Sequence, residues 1–199
     1  SRRLHNASLE ILSRTGARLY EQEAIDLLQG AGATVSDGNL LRVPAGMVEK
    51  AFSTVPKRVT LYDRNGRASL FLEEGNCYYG TGSDCLNIID HRTGERRKPV
   101  IQDVVDGMVV CDELPHVDFV MSMFLPTDVD DMVSDRYQME AMLNHTTKPI
   151  VFVTNEFSGC VDAVEMSEIA AGGAEALMLK PSAACYVNVT SGLRHNEEA

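Results

Sequence analysis

The chain has 199 residues, 44% of them hydrophobic, and 18 basic against 29 acidic side chains give a formal net charge of −11. That length supports one good core, or a small domain plus part of a second. The acidic balance, with no long run of Lys or Arg, excludes duplex nucleic acid as an expected partner, since phosphate binding needs a concentrated basic surface. It is compatible with small cationic ligands, and more simply with solubility.

No apolar stretch approaches the roughly 18 residues of a membrane span, and no signal peptide is visible. The five cysteines (Cys77, Cys85, Cys111, Cys160 and Cys185) are odd in number and include no CxxC. Most sit in apolar runs, so the expectation is reduced, buried thiols in a soluble cytoplasmic protein. The chain lacks an initiator Met, and Asn196-Glu197-Glu198-Ala199 reads as a cap and first turn of a helix. A fragment of a longer protein is therefore expected.

Residues 4–14 carry Leu4, Leu9, Ile11 and Leu12 at moderate helical spacing, closed near Gly16. Residues 21–29 give a clearer helix, with Ala24, Leu27, Leu28 and Ala31 on one face and Gly30 or Gly32 to end it. Asp37-Gly38 predicts a turn and residues 40–43 a short strand. Pro44 suits the first position of a helix that continues through Met47, Val48, Ala51 and Phe52.

A β-rich segment follows. Residues 59–62 and 68–72 flank Asn65-Gly66, a strong hairpin signal because both turn residues tolerate φ > 0. Glu74-Gly75-Asn76 turns the chain into residues 77–80; the bend Gly80-Thr81-Gly82-Ser83-Asp84 then leads to residues 86–90 and a turn at Thr93-Gly94. These strands are expected to form a short antiparallel meander, with Thr81, Ser83 and Asp84 at the tip of the bend.

From Pro99 the pattern changes to helix and strand in alternation. Ile101, Val104, Val105, Met108 and Val109 predict a helix. A strand over 117–123 precedes a helix over about 129–143, a strand over 149–154 precedes a helix over about 160–171, and Gly172-Gly173 breaks the chain before a short helix over 174–179. A third strand is expected over 184–189. Two-sided apolar strands alternating with helices predict a parallel sheet, as the start of an eight-unit barrel or as part of an open doubly wound sheet. Polar residues follow the strands, Asn155 after the second and Thr190 and Ser191 after the third, as at ligand-facing ends.

The motifs exclude several chemistries. GTGSDC lacks the third glycine of a dinucleotide fingerprint and is followed by a strand, and there is no GxxxxGK[ST]. Asp128, Asp130, Asp131 and Asp135 do not fit a calcium loop, because position six lacks Gly and position twelve is Met139. Asp128 reads instead as a helix cap. The five histidines form no HxxxH or HxH pair, so no metal site is expected. No Ser/His/Asp or Cys/His set can be argued from spacing.

Several pieces in order carry a resemblance: Thr15-Gly16-Ala17, Glu23-Ala24-Ile25-Asp26-Leu27-Leu28 with Gly30-Ala31, Arg42-Val43-Pro44 and Val59-Thr60-Leu61-Tyr62. They continue with Tyr78-Tyr79-Gly80, Asn87-Ile88-Ile89-Asp90, Thr93-Gly94-Glu95-Arg96-Arg97 and the run from Ser191 to Glu198. In this order the chain resembles the trimethylamine methyltransferase superfamily of corrinoid-dependent methyltransferases, over nearly its whole length.

The resemblance implies an α/β fold: an N-terminal helical and β-meander region over residues 1–98, then about the first three βα units of a TIM (β/α)₈ barrel over 99–199, truncated. It implies transfer of a methyl group from a methylated amine, such as glycine betaine or trimethylamine, to the Co(I) corrinoid of a partner protein. The cobalamin-type cofactor would belong to that corrinoid protein and not be bound permanently here. Any pyrrolysine would lie in sequence beyond this chain, and the fragment alone is expected to be inactive. A homo-oligomer is compatible with the family.

A quaternary ammonium has no N–H, so its recognition requires aromatic faces and diffuse negative charge. The candidate substrate-binding residues are Tyr79, Ser83 and Asp84 from the bend and Asn155, Arg194 and His195 from strand ends, with Asp84 facing a cation and Arg194 or His195 a carboxylate. No catalytic acid or base is assigned. A non-catalytic quaternary-amine-binding module, or an unrelated barrel enzyme acting on a phosphorylated metabolite, are the alternatives.

Overall fold

The computed structural model describes residues 2–189 and 192–195. In chain order, α1 (Arg2–Glu10) runs into a π-helical turn (Ile11–Thr15), followed by β1 (Ala17–Leu19), α2 (Gln22–Gly30), β2 (Thr34–Ser36), β3 (Leu40–Arg42) and α3 (Ala45–Thr54). Four short strands come next: β4 (Val59–Tyr62), β5 (Ala68–Leu72), β6 (Ile88–Ile89) and β7 (Arg96–Arg97). After α4 (Ile101–Glu113), a 3₁₀ turn (Asp131–Val133) leads into α5 (Ser134–His145), β8 (Ile150–Phe152), α6 (Phe157–Ala171), α7 (Ala174–Leu179), β9 (Ala183–Cys185) and β10 (Arg194–His195). Thr190, Ser191 and the helix start expected over 196–199 lie outside the described residues.

Two units emerge, residues 1–56 with 187–199, and residues 57–186. In the first, β1 and β2 flank β3 in antiparallel pairing, and β10 runs parallel to β1. Leu41 of β3 is fully buried and packs with Ile25 of α2 and Ala33. Pro44 is the residue before α3, not its first residue, and its extended backbone (ψ 142°) launches that helix.

In the second unit β4 and β5 form the expected hairpin, and Gly66 takes φ 74° in its turn. Tyr62 N–H donates to the Pro181 carbonyl and Arg64 N–H to the Thr147 carbonyl, which ties the hairpin to the residues preceding β9 and β8. The core is formed by Val104 and Met108 of α4, Val120, Met139 and Met142 of α5, and Ile150 and Phe152 of β8. These apolar residues stand at helical spacing on α4 and α5, so each helix buries one stripe against the strands.

The strands of this layer run parallel: Val120 bridges Ile150, and β8 pairs with β9 in the register Phe152↔Cys185. The helices between them (α5, then α6 and α7) make successive strand–helix–strand crossovers. The sequence reading places residues 77–80 in an antiparallel meander. The structure instead pairs that segment in parallel with the first of these strands, through the bridges Gly80↔Phe119 and Cys85↔Phe124. Residues 79–82 are thus a fourth parallel rung, with the β6–β7 hairpin and α4 as their crossover. The fold is mixed α/β, with no closed barrel among the described residues.

The expectation of buried thiols holds for Cys111 alone; Cys160 is half-buried, and Cys77, Cys85 and Cys185 are exposed. An apolar local run does not bury a residue at a strand end or in a bend. Among the described residues no helix is long and apolar enough to cross a membrane.

Candidate active site

Because these strands are parallel, residues 82–84, 122–123, 155 and 186 all leave the sheet at its C-terminal end, where open and barrel α/β sheets bind ligands. Gly80 makes the first rung possible, since a Cβ there would sit 2.5 Å from Cε2 of Phe119. The Thr81 hydroxyl then serves as a rung itself: it donates to the Met121 carbonyl at 2.9 Å and accepts from Met121 N–H at 2.7 Å. Met123 N–H donates to the Gly82 carbonyl and Cys85 N–H to the Met123 carbonyl. Ser83 and Asp84 form the loop between these two bonds.

Two residues at this loop hold left-handed backbone, Asp84 at φ 60° and Met123 at φ 65°. Aspartate enters that region more readily than most residues, whereas a methionine there requires the surroundings to hold it. The Ser83 hydroxyl donates to Asp84 Oδ2 at 2.8 Å, and both residues are solvent-accessible.

Asn155 follows β8. Its side-chain amide donates to the Asp131 carbonyl at 2.8 Å and, at 3.4 Å, to Ser134 Oγ. Its main-chain N–H donates to Asp135 Oδ2. The Asp135 side chain, 5% exposed, also accepts from the Arg136 main chain and guanidinium. Arg136 continues to Asp162 at 2.8 Å, Ser158 and Glu156, which raises its own pKa and, with the Ser158 hydroxyl as the larger cause, lowers that of Glu156. A Cβ on Gly159 would collide with Asp135 Oδ2, so the first turn of α6 rests directly on this carboxylate. The loop from β8 to α6 is clamped by the first turn of α5.

The hydrogens of these groups are directed inward: that of Ser83 to Asp84, those of the Asn155 amide to Asp131 and Ser134. With those hydrogens engaged, the side-chain capacity left to Ser83, Asp84 and Asn155 is that of their oxygen acceptors. Phe157, 73% exposed, and Tyr186, 50% exposed, leave the sheet at the same end. Desolvation pushes the thiol of Cys185 up to about 11, with the neighbouring Cys160 thiol adding to the effect, while the rest of the residue remains open to solvent.

The nominated residues separate. Ser83, Asp84 and Asn155 share the C-terminal end of the sheet. Tyr79 lies at the start of its rung, where its main chain pairs with Asp118. The neighbouring Cys77 thiol raises the pKa of its phenol. Arg194 and His195 form β10 in the other unit, with His195 accepting from Tyr20 N–H through its main-chain carbonyl. Sequence reasoning missed the Asp135–Arg136 clamp, because the contacts of Arg136 are 20 to 26 residues away along the chain. Phe157 was detectable, as an aromatic two residues beyond a polar strand end.

The acidic run 128–135 is structural. Asp128 accepts from Ile101 N–H at the start of α4, and Asp130 caps the 3₁₀ turn through Met132 N–H.

Residues 1–199 match the family described as trimethylamine methyltransferase (MTTB). A trimethylamine methyltransferase MttB of Desulfitobacterium hafniense is 27% identical over 192 residues, which is 96% of this chain and 39% of that protein. A proline betaine:corrinoid methyltransferase of Eubacterium limosum is 25% identical over 156 residues, 73% of this chain and 30% of that protein. The MttB of Methanosarcina thermophila is 24% identical over 161 residues, 77% and 32% respectively. The chain thus spans about two-fifths or less of the length of these relatives. The match over every residue shows that this chain belongs to the trimethylamine methyltransferase family.

Proposed function

We propose that the chain forms the N-terminal part of a corrinoid-dependent methyltransferase, in which residues 57–186 supply the opening parallel strands of a (β/α)₈ barrel and residues 1–56 an N-terminal layer. The observation that carries this reading is the family match along the whole of residues 1–199. The substrate is a methylated amine, and the methyl acceptor is the Co(I) corrinoid of a partner protein, a co-substrate that the chain meets and does not retain. The corrinoid supplies the nucleophile. The residues of this chain bind the amine, orient its methyl group and keep water away.

The acceptor-lined end of the sheet suits that task. The Asp84 carboxylate and the Asn155 amide oxygen stabilise a cationic amine that has no N–H of its own. Phe157 and Tyr186 provide faces over which a cation gains roughly 0.5–2 kcal/mol. If the substrate is a betaine, its carboxylate requires N–H or O–H donors in addition. No proton transfer is assigned, because removing a methyl group from a quaternary amine needs none.

The test is conversion of Co(I) cobalamin to its methylated form, followed by absorbance, with the full-length protein and a panel of methylated amines. Conversion with a tertiary or quaternary methylamine supports the reading. Saturable amine binding without any methyl transfer favours instead a binding module on the same scaffold.

A further inference from the structure

At the opposite, N-terminal end of the parallel strands, a cavity of about 390 Å³ lies between the β4–β5 turn and the residues that lead into β9. Its volume falls within the range of small-ligand sites, roughly 300–1,000 Å³. The turn contributes Arg64, Asn65 and Gly66, and the other wall contributes Lys180 and Ser182, with Ala170 and Leu179 as apolar lining.

Two basic residues, Arg64 and Lys180, both exposed to solvent, line it. The Lys180 side chain is laid along the turn, so that a Cβ on Gly66 would be 3.0 Å from Nζ. Among the described residues Lys180 makes no ion pair and no side-chain hydrogen bond. The Arg64 guanidinium donates from Nη1 to the Thr146 carbonyl at 3.2 Å and likewise has no carboxylate partner. One acid lines the cavity, Asp63, and its Oδ1 is taken by Arg67 N–H at 2.9 Å. Ser182 and Asn65 also line the cavity.

This arrangement is unusual in a chain with a net charge of −11, whose general field repels anions. Among the described residues neither has an acidic partner, so an anion entering the cavity would meet both with Asp63 as the one competing carboxylate in its lining. A guanidinium pairs with carboxylate or phosphate alike, and an added ammonium offering three hydrogens suits the further oxygens that a phosphate carries. The space exceeds what a bare phosphate fills, which leaves room for a small ester.

We propose that this cavity is a binding site for a phosphate group, held between Arg64 and Lys180 and carried either by inorganic phosphate or by a small phosphate monoester. The site is at the other end of the strands from the methyl-transfer end and does not depend on the function assigned there.

The test is titration of the protein with inorganic phosphate, glycerol phosphate and acetate at low ionic strength, by calorimetry and by amide chemical shifts. Saturable phosphate or ester binding is expected, with shifts centred on Asn65, Gly66 and Ser182, and the tighter of the two identifies the source. Lys180→Gln and Arg64→Gln each weaken it about tenfold or more, and Lys180→Arg retains it. Absence of saturation with both phosphate ligands, acetate binding as tight as phosphate, or affinity in both Gln variants unchanged from that of the unaltered protein would overturn the proposal. The shift pattern in the unaltered protein decides the matter even if a variant fails to fold.

Discussion

Gly80 and Phe119 lie in adjacent parallel rungs, with the aromatic ring over the glycine so closely that a Cβ would stand 2.5 Å from the ring carbon Cε2. This contact allows residues 79–82 to join the sheet beside the strand at Val120. Gly80→Ala forces the ring away or parts the rungs. It should destabilise the protein by about 1–3 kcal/mol, an overpacking cost, seen as a lower urea midpoint with the slope unchanged.

Asp84 offers a separation of charge from backbone. Asn tolerates the left-handed conformation at φ 60° and keeps an acceptor for the Ser83 hydroxyl, so Asp84→Asn removes little but the charge. Stability should stay within about 0.5 kcal/mol, while affinity of the full-length protein for a cationic amine should fall several-fold. Unchanged affinity would remove Asp84 from the site.

Asp135 should matter more to the fold. Its buried carboxylate holds both the Asn155 main chain and Arg136. Asp135→Ala leaves the Asn155 N–H without its acceptor and takes away one of the carboxylates around Arg136, and should cost about 1–3 kcal/mol. Thermal melting measures this. A loss below about 0.5 kcal/mol would show that the Arg136 clamp stands on Asp162 and Glu156 alone.

Acid stability should report on Arg97, which grips Asp90 at 2.8 Å and Asp103 through two hydrogen bonds. The Arg97 hydrogen bond is the main cause holding Asp90 down to about 2, and the same contact lowers Asp103. A carboxylate depressed in the folded state contributes its stability above the unfolded value, near 3.8, and loses it as the pH falls through the folded value. The melting temperature should therefore decline between about pH 4 and pH 2, and Arg97→Gln should flatten that decline. An identical acid profile in the variant would contradict this.

The sequence exposes those parts of the fold that are set by nearby residues. The short helix over 174–179 coincides with α7, because Gly172 at φ 90° ends α6. Asn65-Gly66 closes the β4–β5 hairpin as its turn chemistry requires. β1 and β2 passed unseen: three residues each are too few for an alternation to register. The parallel placement of residues 79–82 was hidden for another reason, since its partners lie about 40 residues on and a Thr81 side chain supplies part of the ladder. Polar strand ends drew attention to Asn155 as a ligand-facing residue but could not tell that role from bracing, which its amide hydrogens perform. That distinction depends on Asp131 and Ser134, whose approach is a tertiary event.

The most direct measurement is the absorbance of Co(I) cobalamin mixed with the full-length protein and individual methylated amines. The expected result is amine-dependent methylation of the corrinoid that is weakened by Asp84→Asn. Co(I) left unmethylated with every tertiary and quaternary methylamine tried would contradict the proposed activity.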